Sequence, residues 1–376
     1  GVLLVDGYLT ASGTNGVGTS SYSGGGGSGG SIFLVAAGLM GSGVISAGGG
    51  DSPSASNRGG GGGGGRIAYY LGSDLFTGSI AALGGAGYNQ GADGTIHPGL
   101  IETPIVDTIY DHYYRIGEPY VSPRPRLLAG IPGTRWTLLS GPPGSVIDKV
   151  TGIVSWASPT ATGSPFTVRI RAANISGSDE CEWHIAPFAK QLPDGMTTFT
   201  GETVVTASFV DCYYVSPDDR SWGIRVNQAS HGLAPGDPVR VQGIVGTTAD
   251  DERFIDASAV TLWSTVTQPL LRPMGMPGRW VGGGDWQYNP AQGTGQRGVT
   301  GSAGLNNIGL PIAVWGTVTV RDPSGWYVLD DGSGQGVKVV LPAGAVVPSV
   351  GDCLAVTGIS SCEKSGSMLK PLLLVP

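Results

Sequence analysis

Short runs of alternating apolar and small residues recur through the first hundred positions at a nearly fixed spacing. One unit holds the runs that contain Ile32 and Ile45, and 35 residues later Ile67 and Ile80 take the same places. Alternation with a period of two predicts β-strands. A unit of this length cannot bury its own apolar face, so successive copies must stack on one another. The pattern predicts a β-solenoid of about three turns over residues 1–100.

Glycine tracts precede both full units, at residues 24–30 and 59–65, and only Ser28 interrupts them. Tracts of Gly and Ser ordinarily serve as flexible linkers. The fixed offset of the apolar runs on either side favours packed loops instead. Glycine at these positions would allow a positive φ and a close approach of neighbouring backbones.

A different pattern follows, in which strands about 10 residues apart are separated by Pro/Gly turns, as in a β-sandwich. It includes the runs that begin at Trp136, Thr151 and Phe166. Its Gly-Pro-x-Gly, Ile-Asp, Thr-Gly-x-x-x-Trp and Ala-x-Asn-x-x-Gly-Ser motifs resemble those of the immunoglobulin-like, cadherin-like domains of secreted bacterial proteins. The resemblance implies a spacer or adhesive module over residues 101–190, including a lead-in segment.

The lead-in segment contains a tyrosine-rich run with Tyr110, Tyr113 and Tyr114. We expect these rings to cover the end of the solenoid or to pack at a domain joint. Stacking against a ligand is the alternative, because an aromatic ring combines a large apolar face with a polar edge.

A second duplication occupies the last part of the chain. Tyr214 corresponds to Tyr327 at an offset of 113, and the Gly236-Asp step corresponds to Gly351-Asp at an offset of 115. A curved hairpin followed by a Gly-Asp strand is typical of a small Greek-key barrel, and resembles the OB-fold modules of exported bacterial nucleases and surface proteins. We predict barrels over residues 191–266 and 310–376, with an ordered connector of glycine and aromatic residues over 267–309.

The whole chain therefore resembles a modular secreted bacterial surface protein. The predicted fold class is all-β: a Gly-rich β-solenoid, an Ig-like β-sandwich and two OB-like β-barrels. The first residue is Gly1, with no Met and no basic segment before an apolar run. We expect either that a signal peptide has been removed or that the sequence starts inside a longer protein.

The amino-acid composition limits the classes of partner that the chain is expected to bind. Charged residues make up 13% of the chain, about half the usual share, and the formal net charge is −7. This charge disfavours a nucleic-acid partner, even though OB folds often bind single strands in a basic groove. Asp218, Asp219, Asp330 and Asp331 would repel phosphate there. No apolar run approaches the roughly 20 residues that span a bilayer, so we expect no membrane insertion.

The four cysteines, Cys181, Cys212, Cys353 and Cys362, form no C-x-x-C pair. An even count in an exported chain favours disulfides, with three possible connectivities. We predict Cys353 with Cys362 and Cys181 with Cys212; the alternative is four buried thiols.

The sequence contains few features that would indicate an enzyme. The four His are scattered among three modules, and the chain contains no Walker loop or paired zinc-ligand motif. We therefore predict no enzyme activity, no cofactor and no metal site. Trp222 and Trp326 are candidates for stacking against a ligand, including a cell-surface glycan.

The function predicted from these features is an extracellular or cell-surface structural protein. It would assemble head to tail with copies of itself into a fibre or surface layer, because an open solenoid end or sheet edge can pair with another chain. The expected contacts are apolar runs near the two ends of the sequence: Val2, Leu3, Leu4 and Val5, and Leu372, Leu373, Leu374 and Val375. The alternatives are a monomeric adhesin or carbohydrate-binding module and, after that, a polysaccharide lyase.

Overall fold

Strands dominate the computed structural model, which describes residues 1–19, 22–53 and 58–376. The described part contains thirty strands and two short 3-10 helices, Ala189–Gln191 and Gly278–Trp280. The predicted all-β class is confirmed.

Residues 1–100 form a stack of parallel strands. In chain order the strands are β1 (Val2–Leu4), β2 (Tyr8–Thr10), β3 (Ser31–Gly41), β4 (Val44–Ser46), β5 (Arg66–Phe76), β6 (Ser79–Ala81) and β7 (Thr95–Leu100). They make two parallel sheets, in the orders β1-β3-β5-β7 and β2-β4-β6. Ile32 pairs with Ile67 and Ile45 with Ile80, so the offset seen in the sequence is the register of the sheets. Their inward side chains form one apolar core, and we call this region the parallel stack.

The glycine tracts pack beside these sheets as hydrogen-bonded backbone. Gly62 N–H donates to Gly50 O at 2.9 Å, Gly61 N–H to Asn89 O at 2.8 Å and Gly64 N–H to Ala92 O at 2.8 Å. One tract thus bonds to several neighbours in turn, which is why no two-strand ladder forms there. The tracts are packed, as the sequence analysis favoured.

The tracts consist of glycine because, at several positions, a Cβ atom has no room between the neighbouring backbones. A Cβ built on Gly62 would lie 2.0 Å from Gly27 O, and one on Gly61 would lie 1.8 Å from Gly85 O. No glycine of residues 24–30 or 59–65, all of them described, has a positive φ. The expected close approach of backbones is therefore present, whereas the expected positive φ is wrong.

Residues 105–187 form a sandwich of short sheets. Its strands are β8 (Ile105–Val106), β9 (His112–Tyr114), β10 (Tyr120–Val121), β11 (Leu127–Ala129), β12 (Arg135–Ser140), β13 (Val146–Ile147), β14 (Val154–Trp156), β15 (Phe166–Asn174) and β16 (Gly177–Pro187). The sheet β12-β15-β16-β9 faces the sheet β10-β14-β13, and β11 pairs with β8. Trp136, Trp156 and Trp183 fill the space between the sheets.

A first closed barrel follows. Its strands are β17 (Thr197–Phe199), β18 (Thr203–Ser208), β19 (Cys212–Ser216), β20 (Ile224–Asn227), β21 (Pro238–Thr247) and β22 (Arg253–Leu262). The order β21-β18-β19-β20-β22 closes because β22 also pairs with β21, and β17 adds to β21 from outside. We call it barrel 1.

The last module repeats this topology. After β23 (Met274–Gly275), β24 (Gln287–Asn289) and β25 (Thr294–Gln296) come β26 (Pro311–Asp322), β27 (Trp326–Asp330), β28 (Val337–Val340), β29 (Cys353–Ser365) and β30 (Met368–Leu374). The order β29-β26-β27-β28-β30 closes through β30 and β29, and the third and fifth strands pair in parallel in both barrels. We call it barrel 2; the duplicated sequence blocks occupy equivalent strands. The domain boundaries themselves stay predictions.

The connector between the barrels lies against both of them. The Gln296 side chain accepts a hydrogen bond from Arg253 N–H of barrel 1 at 2.8 Å. Val299 and Ile308 pack in one buried cluster with Cys362 and Leu369 of barrel 2.

Candidate functional site

The open edge of the parallel stack contains the first group of predicted assembly residues. Within the described residues β1 pairs only with β3, so one side of its backbone has no partner strand. The side chains of Val2 and Leu4 are 60% and 65% exposed, whereas Leu3 and Val5 turn towards the core of the stack. Two of the four predicted residues are therefore available to a partner as side chains.

β1 carries no charge, proline or bulge, although it is only three residues long. Natural edge strands commonly carry charges, proline or a bulge that prevents pairing with other chains. The sequence of β1 is Val-Leu-Leu, and it pairs with β3 in unbroken register. Its backbone is thus a suitable template for a further parallel or antiparallel strand.

An exposed apolar row continues from this edge across the sheet. Leu4 pairs in register with Met40, and Met40 with Leu75, so the three side chains follow one another on the same face. All three are exposed. We call these residues the outer apolar row.

The opposite edge of the stack differs. β7 contains Pro98, which has no amide hydrogen and marks an edge that pairs poorly. The sandwich also holds this end: Asn174 Nδ2 donates to Glu102 O at 2.7 Å, and Thr103 Oγ1 donates to Ser176 O at 3.0 Å. Among the described residues, the stack therefore has one unpaired edge, at β1, and one edge tied to the sandwich of the same chain.

The second predicted group, Leu372, Leu373, Leu374 and Val375, is not available for donation to another subunit. β30 lies between β28 and β29 and pairs with both. Leu373 is fully buried in the core of barrel 2, and Val375 packs against that core. The prediction of a donated strand is wrong, because this apolar run closes its own barrel.

The two candidate stacking residues lie in different barrels. Trp222 is 2% exposed, its Nε1 donates to Tyr113 OH at 2.8 Å, and its ring packs against Phe188. It cannot stack against a ligand, and that prediction is wrong. Trp326 is half-buried, with Lys338 Nζ 4.8 Å from its ring centre.

The three rings of the tyrosine run lie in different surroundings. Tyr113 packs at the joint against Trp222 and Phe188, and Tyr114 is buried in the sandwich core. Tyr110 instead remains 53% exposed. The expected packing at a domain joint thus describes Tyr113, whereas Tyr114 is a core residue of the sandwich and Tyr110 is exposed.

The predicted disulfides are absent, and all four cysteines are free. Cys353 and Cys362 lie nine positions apart in β29, which at about 3.3 Å per residue separates them by roughly 30 Å. A disulfide needs Cα atoms within about 7 Å of each other. Cys181 belongs to the sandwich and Cys212 to barrel 1. The buried-thiol alternative describes three of the four, since Cys353 is exposed.

A buried ionisable network joins the two barrels. The Glu252 carboxylate accepts hydrogen bonds from Tyr214 OH of barrel 1 and from Ser361 Oγ of barrel 2, each at 3.0 Å. Burial raises the pKa of Glu252 above its usual range. Nothing in the sequence signalled this network, because Glu252 and Ser361 are 109 positions apart.

Lys190 is a buried cation whose charge interacts with that of Glu252. Its Nζ donates to Asn306 Oδ1 at 3.3 Å and to Ile308 O. Burial lowers the pKa of Lys190 to about 7, while the Glu252 charge opposes that shift. Both residues lie where the connector crosses the barrels, and we interpret them as structural.

The described residues contain neither a metal-ligand cluster nor a membrane-spanning helix. No group of three or more His, Cys, Asp or Glu is placed to hold a metal ion in residues 1–19, 22–53 and 58–376. No helix in this part of the chain is long and apolar enough to cross a bilayer.

Comparison with known proteins does not identify a family. The sequence matches no protein-family model and no curated protein. Extracellular cadherin domains 3–6 of protocadherin gamma B2 match 45% of this chain and 39% of that one, at 11% identity and a TM-score of 0.21. A quinoprotein alcohol dehydrogenase-like protein of Bacteroides thetaiotaomicron matches 64% of this chain and 47% of that one, at 10% identity and a TM-score of 0.17. The chain spans less than half the length of either protein.

Proposed function

We propose that this chain is a structural protein of the cell surface or the extracellular space, which associates with copies of itself through the open edge of its parallel stack. The observation that carries the proposal is the strand β1, one side of which has no partner among the described residues, with its exposed side chains Val2 and Leu4. The edge offers backbone hydrogen bonds and apolar area together, as β-strand addition requires.

The expected strength of this contact is modest. Pairing a three-residue strand adds two or three backbone hydrogen bonds, at about 1 kcal/mol each. Burying the exposed parts of Val2 and Leu4 adds about 1.5–3 kcal/mol per side chain at most. Association itself costs about 4–15 kcal/mol, so the edge alone barely suffices. The outer apolar row therefore has to take part, and association should depend on protein concentration.

The geometry of the two ends bears on the symmetry of the assembly. The far edge contains Pro98 and is tied to the sandwich, and the apolar run of β30 is enclosed in barrel 2. A head-to-tail contact through either feature is therefore disfavoured. An edge-to-edge pair, in which β1 of one copy lies antiparallel to β1 of another, uses the same surface twice and suits a two-fold dimer.

The experiment is sedimentation velocity over a wide range of concentrations. We expect the wild-type chain to form dimers as its concentration rises. The Leu4→Lys variant, which places a charge on the edge, should remain monomeric. The control is Val346→Lys, which adds the same charge at an exposed position of barrel 2 and should associate like the wild type. A wild-type chain that stays monomeric at every concentration, or a Leu4→Lys variant that associates normally, contradicts the proposal.

A further inference from the structure

A cleft lies between the lead-in segment of the sandwich and the wall of barrel 1. It consists of two adjoining cavities of about 250 Å³ and about 450 Å³. Both cavities are lined by Tyr110, Asp111 and Arg240, so these residues form the ridge between them. Joints between modules are common positions for ligand sites.

The ridge is a fixed aromatic platform. The guanidinium carbon of Arg240 lies 3.5 Å from the centre of the Tyr110 ring, and Arg240 Nη2 donates to Glu202 Oε1 at 2.6 Å. The guanidinium is thereby held from two sides, and it holds the ring in turn. More than half of Tyr110 nevertheless remains exposed.

The polar groups around the ridge are also held in place. Asp111 Oδ1 accepts a hydrogen bond from His184 N–H at 2.6 Å, and His184 Nδ1 lies 3.2 Å from the same oxygen. The smaller cavity adds the side chains of Gln242 and Thr261. Fixed donors and acceptors of this kind recognise a ligand without a further ordering cost.

The charges of the cleft balance one another. The larger cavity is lined by three arginines and three acids, Arg124, Arg126, Arg240, Asp107, Asp111 and Glu202. A polyanion would meet the three carboxylates, and an apolar ligand would have to bury six charged groups. A ligand with many hydroxyl groups and no net charge fits best, since each hydroxyl can both donate and accept a hydrogen bond.

We propose that this cleft binds an uncharged oligosaccharide, with a sugar ring packed against Tyr110 and its hydroxyls bonded to Asp111, Arg240 and Gln242. The sugar ring has an apolar face for the aromatic ring, and its hydroxyls match the mixed donors and acceptors around it. The proposal is independent of self-association, because the cleft is remote in the chain from β1 and needs no second copy.

The experiment is titration calorimetry with cellohexaose, maltohexaose and chitohexaose as neutral probes and dextran sulfate as the polyanion. We expect at least one neutral probe to bind, and the Tyr110→Ala variant to weaken that binding about tenfold. Tyr110→Phe retains the ring and should bind nearly as well as the wild type. The control is Tyr88→Ala, which removes a ring of similar exposure, 57%, from the parallel stack and should not change the affinity.

A second variant in the cleft keeps the test valid if Tyr110→Ala fails to fold. Gln242 is exposed in the middle of β21, and Gln242→Ala should leave the melting curve unchanged while it weakens binding severalfold. The proposal is overturned if no neutral probe binds, if only dextran sulfate binds, or if both Tyr110→Ala and Gln242→Ala bind like the wild type.

Discussion

Replacing Gly62 by alanine tests the packing of the glycine tracts directly. The added Cβ would lie 2.0 Å from Gly27 O and 2.5 Å from Gly27 C, whereas ordinary contacts begin at 3.4 Å. Both obstructing atoms belong to the backbone, so no side-chain rotation can relieve the clash. The tracts must move apart by about 1.4 Å.

The cost follows from the hydrogen bonds that this movement stretches. Gly62 N–H donates to Gly50 O, Gly50 N–H to Gly27 O and Gly85 N–H to Gly62 O, at 2.8–2.9 Å. Each bond contributes about 1 kcal/mol net. Alanine also stiffens the unfolded chain, which returns about 0.4–1 kcal/mol. We therefore expect Gly62→Ala to destabilise the parallel stack by about 2–3 kcal/mol.

The matched control is the next residue. A Cβ on Gly63 would have Ala92 O, at 3.8 Å, as its nearest neighbour. Gly63→Ala should therefore leave the stack unchanged or stabilise it by up to about 1 kcal/mol. Hydrogen exchange read by mass spectrometry on peptides from residues 59–94 separates the stack from the other modules. Equal loss of protection in the two variants would refute the argument from close packing.

Two further predictions concern the buried groups. Trp222→Ala should lower the free energy of unfolding by about 3–5 kcal/mol, because it removes a buried ring and leaves Tyr113 OH without its donor; the half-buried Trp326, replaced likewise, should cost clearly less in the same calorimetric scan. The lowered pKa of Lys190, about 7, means that the unfolded chain, whose lysines titrate near 10.4, binds more protons than the folded chain from pH 7 upwards. Stability should then rise between pH 7 and about 8.5, by at most about 1.4 kcal/mol per pH unit, and this slope should vanish in Lys190→Met; parallel pH curves for the two proteins would contradict it.

The repeats in the sequence predicted the strands because each repeat is also a local pattern. Ile32 and Ile67 share a place in the alternation, and the same offset became the strand register. The paired positions Tyr214 and Tyr327 likewise occupy equivalent second strands of the two barrels. Where a sequence block is repeated, the same pattern of apolar residues occurs twice, and it predicts the strands without knowledge of distant contacts.

The errors have a common cause, which is that burial depends on partners far away in the chain. Trp222 follows a polar turn, and its hydrogen-bond partner Tyr113 precedes it by 109 positions. The apolar run from Leu372 could equally fill a neighbour's sheet or its own, and only the closure of barrel 2 decides between them. The cleft at Tyr110 and Arg240 could not be predicted from the sequence for the same reason, because Tyr110 belongs to the sandwich and Arg240 to barrel 1.

Both barrels donate hydrogen bonds to the Glu252 carboxylate, and this limits which module exchanges the chain can tolerate. The two barrels share one topology and matching sequence blocks, yet a hydroxyl from each donates to the same carboxylate. Exchange of barrel 2 for a module without a hydroxyl at this position would leave the buried Glu252 carboxylate without one of its hydrogen bonds. The two barrels are therefore coupled, and replacing either one alone should destabilise the other.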